Sequence, residues 1–452
     1  MMNPLRRVLA LAIALAVVAA PAAEAARRIA FPKAAAVKYS AVGNKYGALG
    51  GNNATGFVGD ASHASATSRI SARTPNTAVS FVSVAFCNWS ITPSGETNGA
   101  NAVTVKAGLE LSGTAYPFYF TGSPTKVLQP GDTVWSDLLS VTVPANTQYF
   151  VRPYISVTAG QTWPVSRALS VSNGEGSNYS SSISPGSDLS YSTGVISGSG
   201  TSGYGYGPCG MRGTPAGSLG TVYVAGNSIA VGAGEIGAGT FGDIDGYTSY
   251  IERGLGANVH WMTATRSSST TASFNSFSPL RIALATGTTF THAVTEYGTN
   301  DVYGSGLTFA QTTTALITSW NRLLLVAPKV IQTTITPRTT STDGWITTVN
   351  QTIVAPPNNA VRTAVNDWLR DRAPMVSGVA VATGTTGAGV LRAGDVGHPL
   401  FKVWDIALLA ETSLNSGIWK SSGGAWVFDG IHPSVLGDTN LQAGIILADL
   451  VP

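Results

Sequence analysis

Charge is what this chain has least of. Of 452 residues, 26 are Lys or Arg and 23 are Asp or Glu, 11% in all, against about a quarter in an ordinary soluble domain. The formal net charge is only +3. No Lys/Arg cluster with interleaved aromatics occurs, so nothing supports a nucleic-acid partner. Cysteine is scarcer still, with Cys87 and Cys209 alone. With no Cys-x-x-Cys, no His-x-x-x-His and scattered histidines, the usual zinc spacings are excluded, and no metal is expected. Long apolar runs are also missing. The run Val8–Ala20 follows Arg6-Arg7 and stops at Pro21, short of the roughly 20 residues a bilayer span needs. With Ala23-Glu24-Ala25 behind it, it reads as a secretory signal peptide over residues 1–25, cleaved near Ala25. A periplasmic or secreted protein without a membrane span is expected. The two cysteines suit an oxidising compartment, and a Cys87–Cys209 disulfide is expected.

Gly, Ser, Thr and Ala take the place of the charges. Residues 26–75 are rich in Gly, Ala and Ser with little periodicity, and read as extended or poorly ordered. Over residues 76–215, β-like runs recur at Ala78–Phe86, Ala102–Leu111, Leu138–Val143 and Gln148–Val157. Pro, Gly and Asn clusters bound each run, the pattern of an all-β, jelly-roll-like sandwich. A Ser/Gly/Tyr-rich loop from about Ser170 to Gly207 closes this region.

From residue 216 to 452 strands and helices alternate. Strand-like runs are Thr221–Ala225, Asn258–Met262, His292–Thr295, Lys329–Thr334 and Val403–Leu408. Phe309, Thr313, Leu316, Trp320 and Leu323 share one helical face, and Val361, Val365, Trp368 and Leu369 another. Pro433–Leu450 reads as a final helix. Such alternation predicts an α/β fold with a parallel sheet, whose ligands sit beyond the C-terminal strand ends.

Three turns carry the chemistry. Gly226-Asn227-Ser228 follows the first of these strands, and Gly298-Thr299-Asn300-Asp301 follows the third. Asp429-Gly430-Ile431-His432-Pro433 lies near the C-terminus. A serine in a glycine-opened turn past a strand is a common site for an exposed nucleophile. An Asp three residues before a His can orient the imidazole so that its other nitrogen takes the serine proton. The Asn300 amide and the Ser228 backbone N–H can face a developing oxyanion. Each turn alone is ordinary loop composition.

Together they resemble the SGNH hydrolase family, or GDSL-type esterases, over roughly residues 219–452. Gly226-Asn227-Ser228 matches the family's Gly-Asp-Ser with Asn for Asp. Gly298 to Asp301 matches Gly-x-Asn-Asp, and Asp429 to His432 matches Asp-x-x-His. The resemblance implies a flavodoxin-like three-layer α/β/α domain preceded here by the β-sandwich. It implies catalytic Ser228, Asp429 and His432, an oxyanion hole including Ser228 and Asn300, and a supporting role for Asn227. The family's second block normally supplies a glycine N–H after strand two. Here Ser267-Ser268 stands there, and Ser268 is assigned to the oxyanion hole. The resemblance further implies acyl-ester hydrolysis without a cofactor, with acetyl removal from carbohydrate as the expected reaction. An O-acyltransferase with the same triad is the alternative, and so is a polysaccharide-binding protein with an inactive SGNH domain. Gly232-x-Gly234-x-x-Gly237 matches a dinucleotide fingerprint literally, but it lies too far past the strand and reads as a flexible loop. Glu235, Arg338 and Trp345 follow strand ends and could line a cleft.

Overall fold

The computed structural model describes residues 39–41, 46–47, 57–58, 63–165, 169–178, 187–196, 205–217, 220–237 and 245–452. The expected signal peptide lies outside these, as do most of residues 26–62 and parts of the Ser/Gly-rich loop. Among the described residues no helix is long and apolar enough to cross a membrane.

Two antiparallel sheets form the first half. One runs Ser40–Ala41, Gly210–Pro215, Val79–Cys87, Thr133–Trp135, with Leu139–Val143 also paired to Val79–Cys87. The other runs Lys126–Leu128, Val103–Leu111, Gln148–Ser156, Ser65–Arg73, Gly176–Ser177, with Thr114–Pro117 paired to Val103–Leu111. Strand Ser65–Arg73 falls in the stretch without periodicity. Its residues are nearly all buried although most are small or polar, so no apolar alternation marks it. Cys87 and Cys209 form a disulfide with Cα atoms 6.0 Å apart. It joins the end of one strand to the start of its neighbour, since Cys209 N–H donates to Ala85 O at 2.9 Å.

The second half is built on a six-stranded parallel sheet. Its order is Tyr46–Gly47, His260–Thr265, Thr221–Gly226, His292–Thr295, Lys329–Thr333, Lys402–Trp404. Every pair in it is parallel. Strand Thr221–Gly226 is buried at all six positions, as a central strand covered on both faces must be. Val222 and Val224 point to one face, with Ile251, Ile406 and Leu441. Tyr223 and Ala225 point to the other, with Leu316, Trp320, Val365 and Trp368. That second core is continuous with the interior of the antiparallel sheets. The join is also polar: Glu96 accepts from Leu280 N, Arg281 N and Arg281 Nε at 2.7–3.0 Å.

Three elements differ from expectation. The run Val403–Leu408 divides into strand Lys402–Trp404 and helix Ile406–Ala410, because Asp405 caps the helix through Leu408 N–H. The final helix covers only Val435–Leu441 and is followed by two 3-10 turns. Ala233–Gly237 is helical rather than a flexible loop, and Gly232 ends the preceding turn in the left-handed conformation. A side chain on Gly234 would begin 2.1 Å from Pro433 O, so this glycine permits close packing on the His432–Pro433 turn.

Among the last five strands the order places the first between the second and the third. The strand after the first crosses over on one side and the later ones on the other. Folds with such a reversal hold their ligands at the C-terminal ends of the strands beside it, here Thr221–Gly226 and His292–Thr295.

Candidate active site

Strand Thr221–Gly226 ends on a glycine that has no room for a side chain. A Cβ there would lie 2.7 Å from Ala230 Cβ. Asn227 turns the chain into helix Ser228–Val231, and its Oδ1 caps the helix by accepting from Ile229 N–H at 3.0 Å. Ser228 is the first residue of that helix, so its own N–H has no intrahelical acceptor.

The Ser228 Oγ is 2.7 Å from His432 Nε2. His432 Nδ1 is 2.7 Å from Asp429 Oδ2. With Nδ1–H donating to the carboxylate, Nε2 is left to accept the serine proton. This tautomer follows from the network. Asp429 Oδ1 also accepts the backbone N–H groups of Ile431 and His432, at 3.0 and 2.9 Å. Burial acts to raise the Asp429 pKa, but the hydrogen bonds from the His432 ring and these backbone groups outweigh it and hold it at about 2. Ser228 is 8% exposed, while the His432 and Asp429 side chains are 19% and 41% exposed. The serine is thus nearly buried, while the imidazole and the carboxylate reach solvent.

The Asp429–His432 turn is held from outside. Gly430 has φ +89° and its carbonyl accepts from Thr339 N–H at 3.0 Å and Trp419 Nε1–H at 3.2 Å. Trp345 packs against it, 2.9 Å from where a Gly430 Cβ would lie. Pro433 does not begin the next helix: Ser434 caps it and Val435 opens it.

Asn300 starts a π-helical turn, Asn300–Gly304, beyond strand His292–Thr295. Its Nδ2 donates to Ser269 O at 3.0 Å, which orients the amide and leaves a second proton on the same nitrogen. The next residue, Asp301, is buried and accepts from Thr271 N and Oγ1, anchoring the turn. Ser268 is exposed and has φ +65°, a conformation that glycine adopts without strain. That is the backbone geometry expected where a glycine usually stands. Among the described residues, neither Asn300 nor Ser268 hydrogen-bonds to the Ser228–His432–Asp429 chain. They lie on the two loops flanking it, linked through Ser269.

Sequence reasoning passed over Glu296. This residue ends its strand beneath the serine turn and is 4% exposed. Asn227 N–H donates to its Oε2 at 3.2 Å and Asn227 Nδ2 to its Oε1 at 3.3 Å. Burial pushes its pKa up to about 8 against the lowering effect of these bonds and of the Ala230 backbone. The signal was available: a carboxylate closing an apolar central strand needs a partner or a proton. Glu235, a cleft candidate, is instead buried and ion-paired to Arg253 at 2.6 Å.

No family model matches the chain, and no curated protein matches it. Solved structures similar to it include a G-D-S-L family lipolytic protein from Veillonella parvula, 16% identical, covering 50% of this chain and 94% of that one at TM-score 0.31. An acetylxylan esterase from Geobacillus stearothermophilus is 12% identical, over 52% and 96% of the two chains at TM-score 0.31. A family two carbohydrate esterase from Clostridium thermocellum is 10% identical, over 86% and 91% at TM-score 0.31. Likeness at this level decides neither activity nor substrate.

Proposed function

We propose that this protein is an SGNH-type serine esterase, exported from the cytoplasm, that removes acyl groups from carbohydrate. One observation carries the reading: the continuous hydrogen-bond chain Ser228–His432–Asp429, with both links at 2.7 Å, at the strand-order reversal. Ser228 Oγ attacks the ester carbonyl while His432 Nε2 takes its proton. Asp429, ionised at any physiological pH, stabilises the imidazolium. The Ser228 N–H, the second proton of the Asn300 amide and the Ser268 N–H are the donors assigned to the oxyanion. His432 returns the proton to the departing sugar oxygen. Water then attacks the acyl-enzyme by the same route, releasing the acid and regenerating Ser228.

Acetyl as the acyl group and carbohydrate as the alcohol rest on the family resemblance and on the presence of an antiparallel β module ahead of the α/β half. We read that module, expected over residues 76–215 and joined by strand Ser65–Arg73, as a β-sandwich domain. Export rests on the leader composition and fits the Cys87–Cys209 disulfide.

The test is turnover of an aryl acetate and of acetylated xylan and pectin by the protein and by Ser228→Ala. Loss of turnover in a folded Ser228→Ala supports the reading. Retention of it removes Ser228 as nucleophile. Free acid as sole product with polysaccharide acceptor present separates hydrolysis from acyl transfer.

A further inference from the structure

Arg338 is a cation beside this site that the reaction does not use. It lies past strand Lys329–Thr333, where its carbonyl accepts from Val354 N–H at 3.0 Å. The next residue, Thr339, donates its N–H to Gly430 O, inside the Asp429–His432 turn. The Arg338 guanidinium stands over the Tyr303 ring, 5.6 Å from its centroid. Tyr303 belongs to the turn that Asn300 opens, and its hydroxyl is fixed by donation to Asn359 Oδ1 at 3.3 Å. Arg338 therefore bridges the element carrying the base and the element carrying Asn300, and it is only partly buried.

Arg338 has no counter-charge, and unlike Arg322, which also has none but donates to Ser278 Oγ at 2.6 Å, it has no hydrogen-bonded side-chain partner among the described residues. Among the described residues no carboxylate lies within ion-pair distance of it. Other arginines of this half are matched: Arg253 with Glu235, Arg362 with Glu411, Arg370 with Asp405 and Arg392 with Asp371. Even Arg372, 55% exposed, pairs with Asp395. Asp343, five residues on in the chain, and Glu411, which like Arg338 acts on Tyr303, are committed elsewhere. Glu411 is held by Arg362 at 2.6 Å, and Asp343 by Ser341, Thr347 and Asn350. In a chain with so few charges, an arginine held on an aromatic face and left unmatched between the segments carrying Asn300 and His432 is arranged for an incoming anion. A guanidinium presents a planar fork that matches a carboxylate in two parallel hydrogen bonds.

We propose that Arg338 is a carboxylate-binding subsite and that the substrate is an acylated acidic saccharide, its uronate carboxylate lying on Arg338 while the ester lies on Ser228. The saccharide part rests on the esterase reading above. The carboxylate part rests on Arg338 alone. The subsite fixes which sugar of a chain meets the serine, so it acts mainly on KM.

Two measurements test it separately. In folded Ser228→Ala protein, calorimetry compares trigalacturonate with galactotriose, a neutral chain of equal length. The acid is expected to bind and the neutral sugar to bind at least tenfold more weakly. Adding Arg338→Gln should remove that preference, and Arg338→Lys should restore part of it, with binding of the acid weakening as salt is raised. Turnover then compares acetylated pectin fragments with acetylated xylan fragments. The ratio of their kcat/KM values should fall about tenfold in Arg338→Gln, through KM. Equal binding of acid and neutral sugar, or a preference unchanged by Arg338→Gln, overturns the subsite. Acid binding that depends on Arg338 in a protein that hydrolyses no ester keeps the subsite and overturns the esterase. Ester turnover with no such binding does the reverse.

Discussion

Replacing Asn227 by Asp restores the residue usual in Gly-Asp-Ser motifs, and the structure predicts that it imports an alkaline weakness. Asn227 Nδ2 lies 3.3 Å from Glu296 Oε1, so Asn227→Asp sets two carboxyl groups in direct contact. Two full charges at that separation repel by roughly 5 kcal/mol at an effective dielectric of about 20. Both cannot ionise, and the pair keeps one proton. In the wild type, burial holds the Glu296 pKa at about 8. The folded state therefore binds more protons than the unfolded chain from the ordinary carboxylate range up to about pH 8. Stability falls with pH across that window and levels off above it. In Asn227→Asp the folded pKa moves above 8, so the fall continues. Its slope is about 1.4 kcal/mol per pH unit. With an unfolding entropy of roughly 2 cal/mol/K per residue, this amounts to about 1.5 °C per pH unit. Thermal melting followed by circular dichroism should show the variant tracking the wild type up to pH 8 and diverging by about 3 °C by pH 10. Asn227→Asp with Glu296→Gln exchanges amide and carboxylate across the same contact, so the double variant should lose the divergence. Parallel melting curves for Asn227→Asp and wild type up to pH 10 would refute the reasoning.

Four further outcomes are expected. Ser228→Ala and His432→Ala should each remove nearly the whole triad contribution, and the double variant should be little slower than either in aryl acetate turnover. Asn300→Ala should lower kcat by roughly a hundred- to a thousandfold, about 3–4 kcal/mol, with less effect on KM; a kcat near wild type would remove Asn300 from the oxyanion hole. A Gly430→Ala side chain would begin 1.8 Å from Thr339 O at φ +89°, so the catalytic turn must move; kcat should fall on the order of a hundredfold, checked by steady-state kinetics. Cys87→Ser should cost roughly 2–5 kcal/mol of stability, read from denaturant midpoints, while leaving the triad geometry and the turnover at low temperature intact.

The serine turn was legible because its determinants are local. The run Thr221–Ala225 is β-branched and aromatic, Gly226 ends it, and Asn227 caps the short helix that Ser228 opens. The same holds for Asp429 and His432, whose carboxylate–imidazole contact is made across one turn. Other features were hidden for equally physical reasons. Strand Ser65–Arg73 is buried by neighbours on both edges, and its polar residues bond to distant partners such as Glu175, which accepts from Ser71. The split at Asp405 depends on that carboxylate capping a helix rather than closing a strand. The importance of Glu296 depends on its lying beneath a turn from another strand.

The sequence by itself determined the turns, the alternation of strand and helix, and which side chains are proposed for acyl chemistry. Each of these depends on residues within a few positions of one another. Tertiary structure alone decided that the groups meet. Ser228 and His432 are 204 residues apart in the chain and 2.7 Å apart in space. That closure comes from the strand order, which sets Thr221–Gly226 at the reversal, and from the packing of Gly234 and Thr339 on the His432 turn. It was likewise packing that left Arg338 without a carboxylate partner, because pairing is set by which elements converge and not by spacing along the chain.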